Sequence, residues 1–136
     1  MSQPRVGEAL PAYVLDASAL LALLHGESGA DVVEPLLRES VVSSVNWSEV
    51  FQRAWSWGAD TQGLREDFEL LGLRVLPFTT DDAEATARLW SSTRDFGLSL
   101  GDRACLSLAQ ALNLPAVTAD RRWAGLRVGI QIQMIR

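Results

Sequence analysis

The chain has 136 residues and a formal net charge of -5, with 48% hydrophobic and 21% charged residues. That is enough to build one domain with a buried core, and it lacks the apolar runs of a membrane span. All the basic residues are arginine, and an acidic chain of this kind is not the footprint of a module that grips a nucleic-acid backbone unaided.

Residues 1–12 read as a flexible N-terminal tail, with Pro4 and Pro11 and no periodic pattern, ahead of a domain over 13–136. The start has neither the basic end nor the apolar stretch of a signal peptide. With the lone Cys105, which has no disulfide partner, it points to the cytoplasm. Ala12 to Asp16 reads as a short buried strand, followed by an apolar helix over Ala17 to Leu24 that ends at His25-Gly26. A second helix is expected from Ser28 to Glu39, with Val32, Val33, Leu36 and Leu37 facing inward and a kink or break at Pro35.

Val41 to Ser43 is the next strand. A helix from Asn46 to about Ala59 follows, carrying one stripe of Trp47, Phe51 and Trp55 and a neighbouring one of Val50, Ala54 and Trp57. Two apolar stripes on one helix imply that one of them faces a protein partner. Gln62 to Leu71 is expected to pair with this helix as a hairpin. Arg74 to Leu76 is a third strand, helices span about Asp81 to Asp95 and Gly101 to Leu112, and strands at Ala116 to Thr118 and Val128 to Ile135 complete the pattern. Strands alternating with helices predict an α/β fold: a parallel central sheet of about five short strands flanked by helices on both sides.

The chemistry lies at the strand-to-helix junctions. Asp16, Glu49, Asp102 and Asp120 each sit at such a junction, and the carboxyl ends of parallel strands share one edge, where ligands bind. Carboxylates gathered there repel one another unless a divalent cation neutralises them, and all-oxygen ligation favours Mg2+, with Mn2+ as the alternative. Ser18, Asn46 and Thr118 accompany the acids and can orient an ion or a phosphate without adding charge. Each acid also has a plainer explanation as a helix cap. Asn46 to Glu49 and Ser99 to Asp102 have capping-box spacing, and Asp16 and Asp120 stand where N-caps belong.

The four segments around Val-Leu-Asp16-Ala-Ser18, Asn46-Trp-Ser-Glu49, Ser99-Leu-Gly-Asp102-Arg and Thr118-Ala-Asp120-Arg-Arg resemble the PIN-domain family. More narrowly, they resemble the VapC-type toxins of bacterial toxin–antitoxin pairs, in the family's order, from about Tyr13 to Arg136. The resemblance implies a metal-dependent endoribonuclease that hydrolyses RNA phosphodiester bonds, leaving a 5′-phosphate and a 3′-hydroxyl. Asp16, Asp102 and Asp120 would ligate the metal, with Glu49 completing the site directly or through water, and Ser18, Asn46 and Thr118 would support it. It also implies a cognate antitoxin, a homodimer, and contact with DNA only through the antitoxin. Trp47, where a smaller apolar residue is commoner, and the tail before the first strand depart from the family's pattern. A phosphoacceptor of the receiver type needs a lysine, and the chain has none. The alternative is a non-catalytic protein-binding module of the same fold, its acids serving only as caps.

Overall fold

Alternation along three-residue strands decides which side chain faces which layer. In the computed structural model, which describes residues 10–136, five strands form one parallel sheet. They are β1 (Tyr13–Leu15), β2 (Ser40–Ser43), β3 (Arg74–Leu76), β4 (Ala116–Thr118) and β5 (Ile132–Met134), in the order β3-β2-β1-β4-β5. Neighbouring residues of a strand point to opposite faces. Val14, Val41 and Ala116 therefore enter one core with Leu89, Cys105, Leu106, Ala109 and Trp123. Leu15, Val42 and Val117 enter the other with Leu20, Val33, Leu37, Trp47, Val50 and Phe68. A sheet covered on both faces has no polar side, so its three central strands carry adjacent apolar residues, Val14-Leu15, Val41-Val42 and Ala116-Val117.

The helices supply those two layers. They are α1 (Ala17–His25), α2 (Ala30–Val33), α3 (Ser44–Ser56), α4 (Leu64–Leu70), α5 (Thr80–Arg88), α6 (Trp90–Thr93) and α7 (Leu100–Leu112). The break expected at Pro35 is present: α2 gives way to a 3-10 stretch over Glu34–Glu39 with the proline in its first turn, where its missing N–H costs nothing. The single helix expected to reach Asp95 instead divides at Leu89 into α5, α6 and a 3-10 turn over Arg94–Phe96. There the Thr93 hydroxyl turns back to donate to the Leu89 carbonyl, competing with the backbone ladder. The fifth strand is shorter than expected, because Gly129 takes a positive φ of 73° and the chain becomes extended and paired only at Ile132.

Helix α3 packs chiefly on α1 and α7, not as a close hairpin with α4, which it meets through the edge-to-face pair Trp47 and Phe68 at 5.8 Å. Gly72, at φ 103°, turns the chain from α4 into β3 with its Cα against the Arg38 backbone, where any Cβ would overlap. Of the expected tail, residues 1–9 lie outside the described residues. Leu10 is exposed, and the Ala12 N–H already donates to the Glu39 carbonyl at 2.7 Å. Among the described residues no helix is long and apolar enough to cross a membrane.

Strand β1 is the switch point. The chain leaves it towards β2 and β3 on one side, then crosses to β4 and β5 on the other. The crevice at the carboxyl ends of β1 and β4 is where such a sheet leaves room for a ligand.

Candidate active site

Asp16 follows β1 directly and is buried, at 3% exposure. Its Oδ1 caps α1 by accepting the Ala19 N–H at 2.9 Å, which also fixes the carboxylate's direction. The Ser18 hydroxyl donates to it at 2.7 Å, and the Thr118 hydroxyl, arriving from the end of β4, donates to Oδ2 at 2.5 Å. Thr118 therefore closes the switch-point crevice, and its oxygen in turn accepts the Asp120 N–H at 3.0 Å. Burial pushes the Asp16 carboxyl up from 3.8 to about 6, against the pull of the bonds from Thr118, Ala19 and Ser18, with the nearby Asp102 charge adding to the rise.

Glu49 lies in the second turn of α3, which starts at Ser44 behind the N-cap Ser43. The capping-box alternative for Asn46 and Glu49 is therefore wrong: both are inside the helix, and their link is side chain to side chain. Asn46 Nδ2 donates to Glu49 Oε1 and to the Gly101 carbonyl, each at 2.9 Å. These two acceptors fix the amide's orientation, since the flipped amide would set oxygen against oxygen. Among the described residues Asn46 Oδ1 is left buried without a partner. The Glu49 carboxylate rests against the Cα of Gly101, in space that a Cβ there would fill. Burial raises the Glu49 pKa, opposed by the Asn46 bond and reinforced by the Asp102 charge.

Asp102 opens α7 in the capping box expected from the sequence. Ser99 Oγ accepts the Asp102 N–H at 3.2 Å, and Asp102 Oδ2 accepts the Ser99 N–H at 2.8 Å. Asp120 caps the 3-10 turn Arg121–Gly125 through the Arg122 N–H at 3.0 Å. The Arg122 guanidinium then grips Asp120 from the side, with Nε 3.1 and 3.0 Å from the two carboxylate oxygens and its terminal nitrogen 2.6 Å from Oδ2. The same nitrogen lies 3.5 Å from Asp102 Oδ2, and the other terminal nitrogen donates to the Gly97 carbonyl at 2.6 Å. Arg122 holds the Asp120 pKa below its usual 3.8, and its own pKa rises in return.

All four acids line one open pocket of about 450 Å³, together with Ser18, Leu21, Gln52, Arg53, Ser99 and Arg122. Asn46 and Thr118 stand behind it, buried and bonded to the acids. The PIN-domain family model matches residues 13–128. The chain belongs to the PIN-domain family. Among curated proteins none matches the sequence significantly. Solved structures of similar fold include a toxin–antitoxin complex from Klebsiella pneumoniae, 22% identical, at a TM-score of 0.67 over 92% of this chain and 98% of that one. The DNA-bound VapBC of Salmonella typhimurium is 19% identical, at 0.70 over 93% and 100%. VapC20 of Mycobacterium tuberculosis, described as a sarcin-ricin loop cleaving toxin, is 16% identical, at 0.68 over 88% and 99%.

The PIN domain's pocket offers only oxygen donors, the set that suits Mg2+ or Mn2+. The Asp16 pKa is raised chiefly by burial and least by the Asp102 charge, and a bound cation would oppose that rise. Yet among the described residues no three acid, histidine or cysteine side chains converge closely enough to hold an ion as they stand. Asp120 and the Oδ2 of Asp102 are turned to Arg122 and to the α7 cap instead.

Two features of this PIN domain escape a reading of the acids alone. Gly101 seats Glu49, and the signal was present, since glycine inside a helix marks a close approach. Arg122 pairs with the acids in this structure, a role the acids' own spacing does not announce. His25 lies away from the pocket, stacked on Trp57 with ring centroids 3.9 Å apart, and Cys105 is fully buried. Burial and the neighbouring acidic charges push the Cys105 thiol well above 9.0, so it stays an inert core group. Glu27, expected to be structural, holds His25 at 3.3 Å and the C-terminal Arg136 at 3.3 Å.

Proposed function

We propose that this PIN domain is a Mg2+- or Mn2+-dependent endoribonuclease acting as the toxin of a toxin–antitoxin pair. The observation that carries the reading is the meeting of Asp16, Glu49, Asp102 and Asp120, from four separate elements, around one solvent-open pocket. Asp16, Asp102 and Asp120 would hold the ion, with Glu49 as a direct or water-mediated member. A divalent ion in such a set neutralises the carboxylates, polarises a phosphodiester and makes water a better nucleophile at neutral pH.

The chain's own residues prepare that chemistry. Ser18 and Thr118 orient Asp16, Asn46 and Gly101 orient Glu49, and burial keeps bulk water from screening them. Arg53 and Arg122 place positive charge at the pocket of a chain whose net charge is -5. Similar folds solved as toxin–antitoxin complexes support an antitoxin partner, and one solved on DNA fits contact with DNA through that partner. VapC20, described as cleaving the sarcin-ricin loop, supports RNA as the substrate class. Trp55, exposed at the end of the aromatic stripe on α3, suits a protein interface, with the antitoxin or in a homodimer.

The test is induced expression in a bacterial host, wild type beside Asp16→Ala, with total RNA sequenced for new 5′ ends. Growth arrest with discrete cuts in the wild type alone is expected. Equal cutting by both forms, or by neither, overturns the reading. A non-catalytic binding module is favoured by one observation: Asp16, Asp102 and Asp120 do all act as caps. Mn2+ titration separates the two, because caps alone need no shared cation.

A further inference from the structure

Four carboxylates line the pocket, among the described residues no three of them converge closely enough to hold an ion, and a cation already stands between two of them. Arg122 spans two of the acids. Its Nε and one terminal nitrogen take both oxygens of Asp120, and that terminal nitrogen reaches Asp102 Oδ2. The Gly97 carbonyl anchors the third nitrogen, so the planar fork is held from two sides. Asp16 and Glu49 receive nothing from Arg122. Their partners are hydroxyls, a backbone N–H and the Asn46 amide. The guanidinium thus neutralises the outer half of the acid set and leaves the inner half to neutral donors. A guanidinium and a divalent ion compete for the same oxygens of Asp120 and Asp102, because two cations crowded on one pair of carboxylates repel each other. The Arg122 side chain is about half exposed, at 53%, so its head can leave for water without crossing a packed layer.

We infer that Arg122 is a built-in competitor of the divalent ion, a cationic latch that occupies Asp120 and Asp102 in the ion-free protein and must swing away for the ion to be held. This rests on the metal-dependent reading above and adds to it a residue that sets the ion's affinity. The latch also quiets two carboxylates that would otherwise repel each other across the pocket.

Calorimetric titration of Mn2+ into the purified protein without RNA, wild type beside Arg122→Gln, tests it. Removing the competing charge is expected to tighten Mn2+ binding by about fivefold or more, since a multiply bonded surface pair is lost from the ion-free state alone. Equal or weaker binding by Arg122→Gln overturns the latch while leaving the metal reading intact; absence of Mn2+ binding in both proteins overturns both. A second measurement needs no variant. In wild type labelled with [15N]arginine, the Arg122 Nε–H signal is expected to be protected from exchange with water and to lose that protection at saturating Mg2+. A signal unmoved at saturation overturns the latch.

Discussion

Replacing Asp16 by asparagine removes the one buried carboxylate whose charge the ion-free fold opposes. The carboxyl sits at 3% exposure and titrates near 6 in the fold against 3.8 when unperturbed. Between those values the folded protein keeps a proton that the unfolded chain has released, so Asp16 makes stability fall as pH rises from about 4 to about 6. Below that window its contribution is neutral. Above it the penalty is complete, about 3 kcal/mol at roughly 1.4 kcal/mol per pH unit. Asparagine keeps the oxygen that caps the Ala19 N–H, and its amide N–H can donate to the Thr118 or Ser18 oxygen once those hydroxyls rotate.

Some hydrogen-bond energy is lost in that exchange at every pH, so the effect of the charge is read from the pH dependence. Urea denaturation of both proteins at pH 4 and pH 8 reads it directly. The advantage of Asp16→Asn over wild type should grow by about 2–2.5 kcal/mol between the two, because the unfolded carboxyl is already partly ionised at pH 4 and acids remote from Asp16 titrate alike in both proteins. Saturating Mn2+ should remove most of that difference by stabilising the wild type alone. A difference between the proteins that stays flat from pH 4 to pH 8 would refute the account of Asp16 as a charge held at a cost.

Two further outcomes follow from the partners of the acids. Gly101→Ala would push the Glu49 carboxylate from its seat, while helix propensity gains about 1 kcal/mol. Melting should therefore stay within about 1 kcal/mol of wild type while RNA cleavage falls by about a hundredfold, and unchanged cleavage would show that Glu49 needs no such seat. Thr118→Val removes the donor to Asp16 and the acceptor of the Asp120 N–H. It should cost about 1–3 kcal/mol in urea at pH 8 and less at pH 4, where Asp16 is protonated; an equal loss at both would assign the effect to packing.

How much of this was legible from sequence depended on whether the signal was local. The parallel sheet was legible because strands alternate with helices along the chain, and the apolar pairs Val14-Leu15, Val41-Val42 and Ala116-Val117 suit strands covered on both faces. The Ser99–Asp102 box was legible because a cap is made within four residues. The capping alternative for Glu49 failed because the same spacing recurs inside a helix, and the true start at Ser44 depends on where β2 ends. The split of the α5 region at Leu89 was hidden as well, since nothing in the local pattern announces that Thr93 turns back on the helix. Gly101 against Glu49 and Arg122 across Asp120 and Asp102 are tertiary facts, and spacing along the chain could offer them only as options.

Capping one oxygen of a carboxylate does not exclude a further role for the other. A cap fixes one carboxylate oxygen by a bond to a helix-start N–H, and that bond holds the side chain pointing along the carboxyl edge of the sheet. Asp16 shows the division of labour: Oδ1 is tied to Ala19 of its own helix, and Oδ2 is reached by Thr118 from a strand more than a hundred residues away. The cap makes the geometry and the crossing hydroxyl makes the site. Glu49, which caps nothing, needs Asn46 and the bare Cα of Gly101 to be held as firmly. The acid without a cap is thus the one for which the fold supplies a dedicated seat, as expected where the carboxylates' shared position, and not helix stability alone, shapes the local sequence.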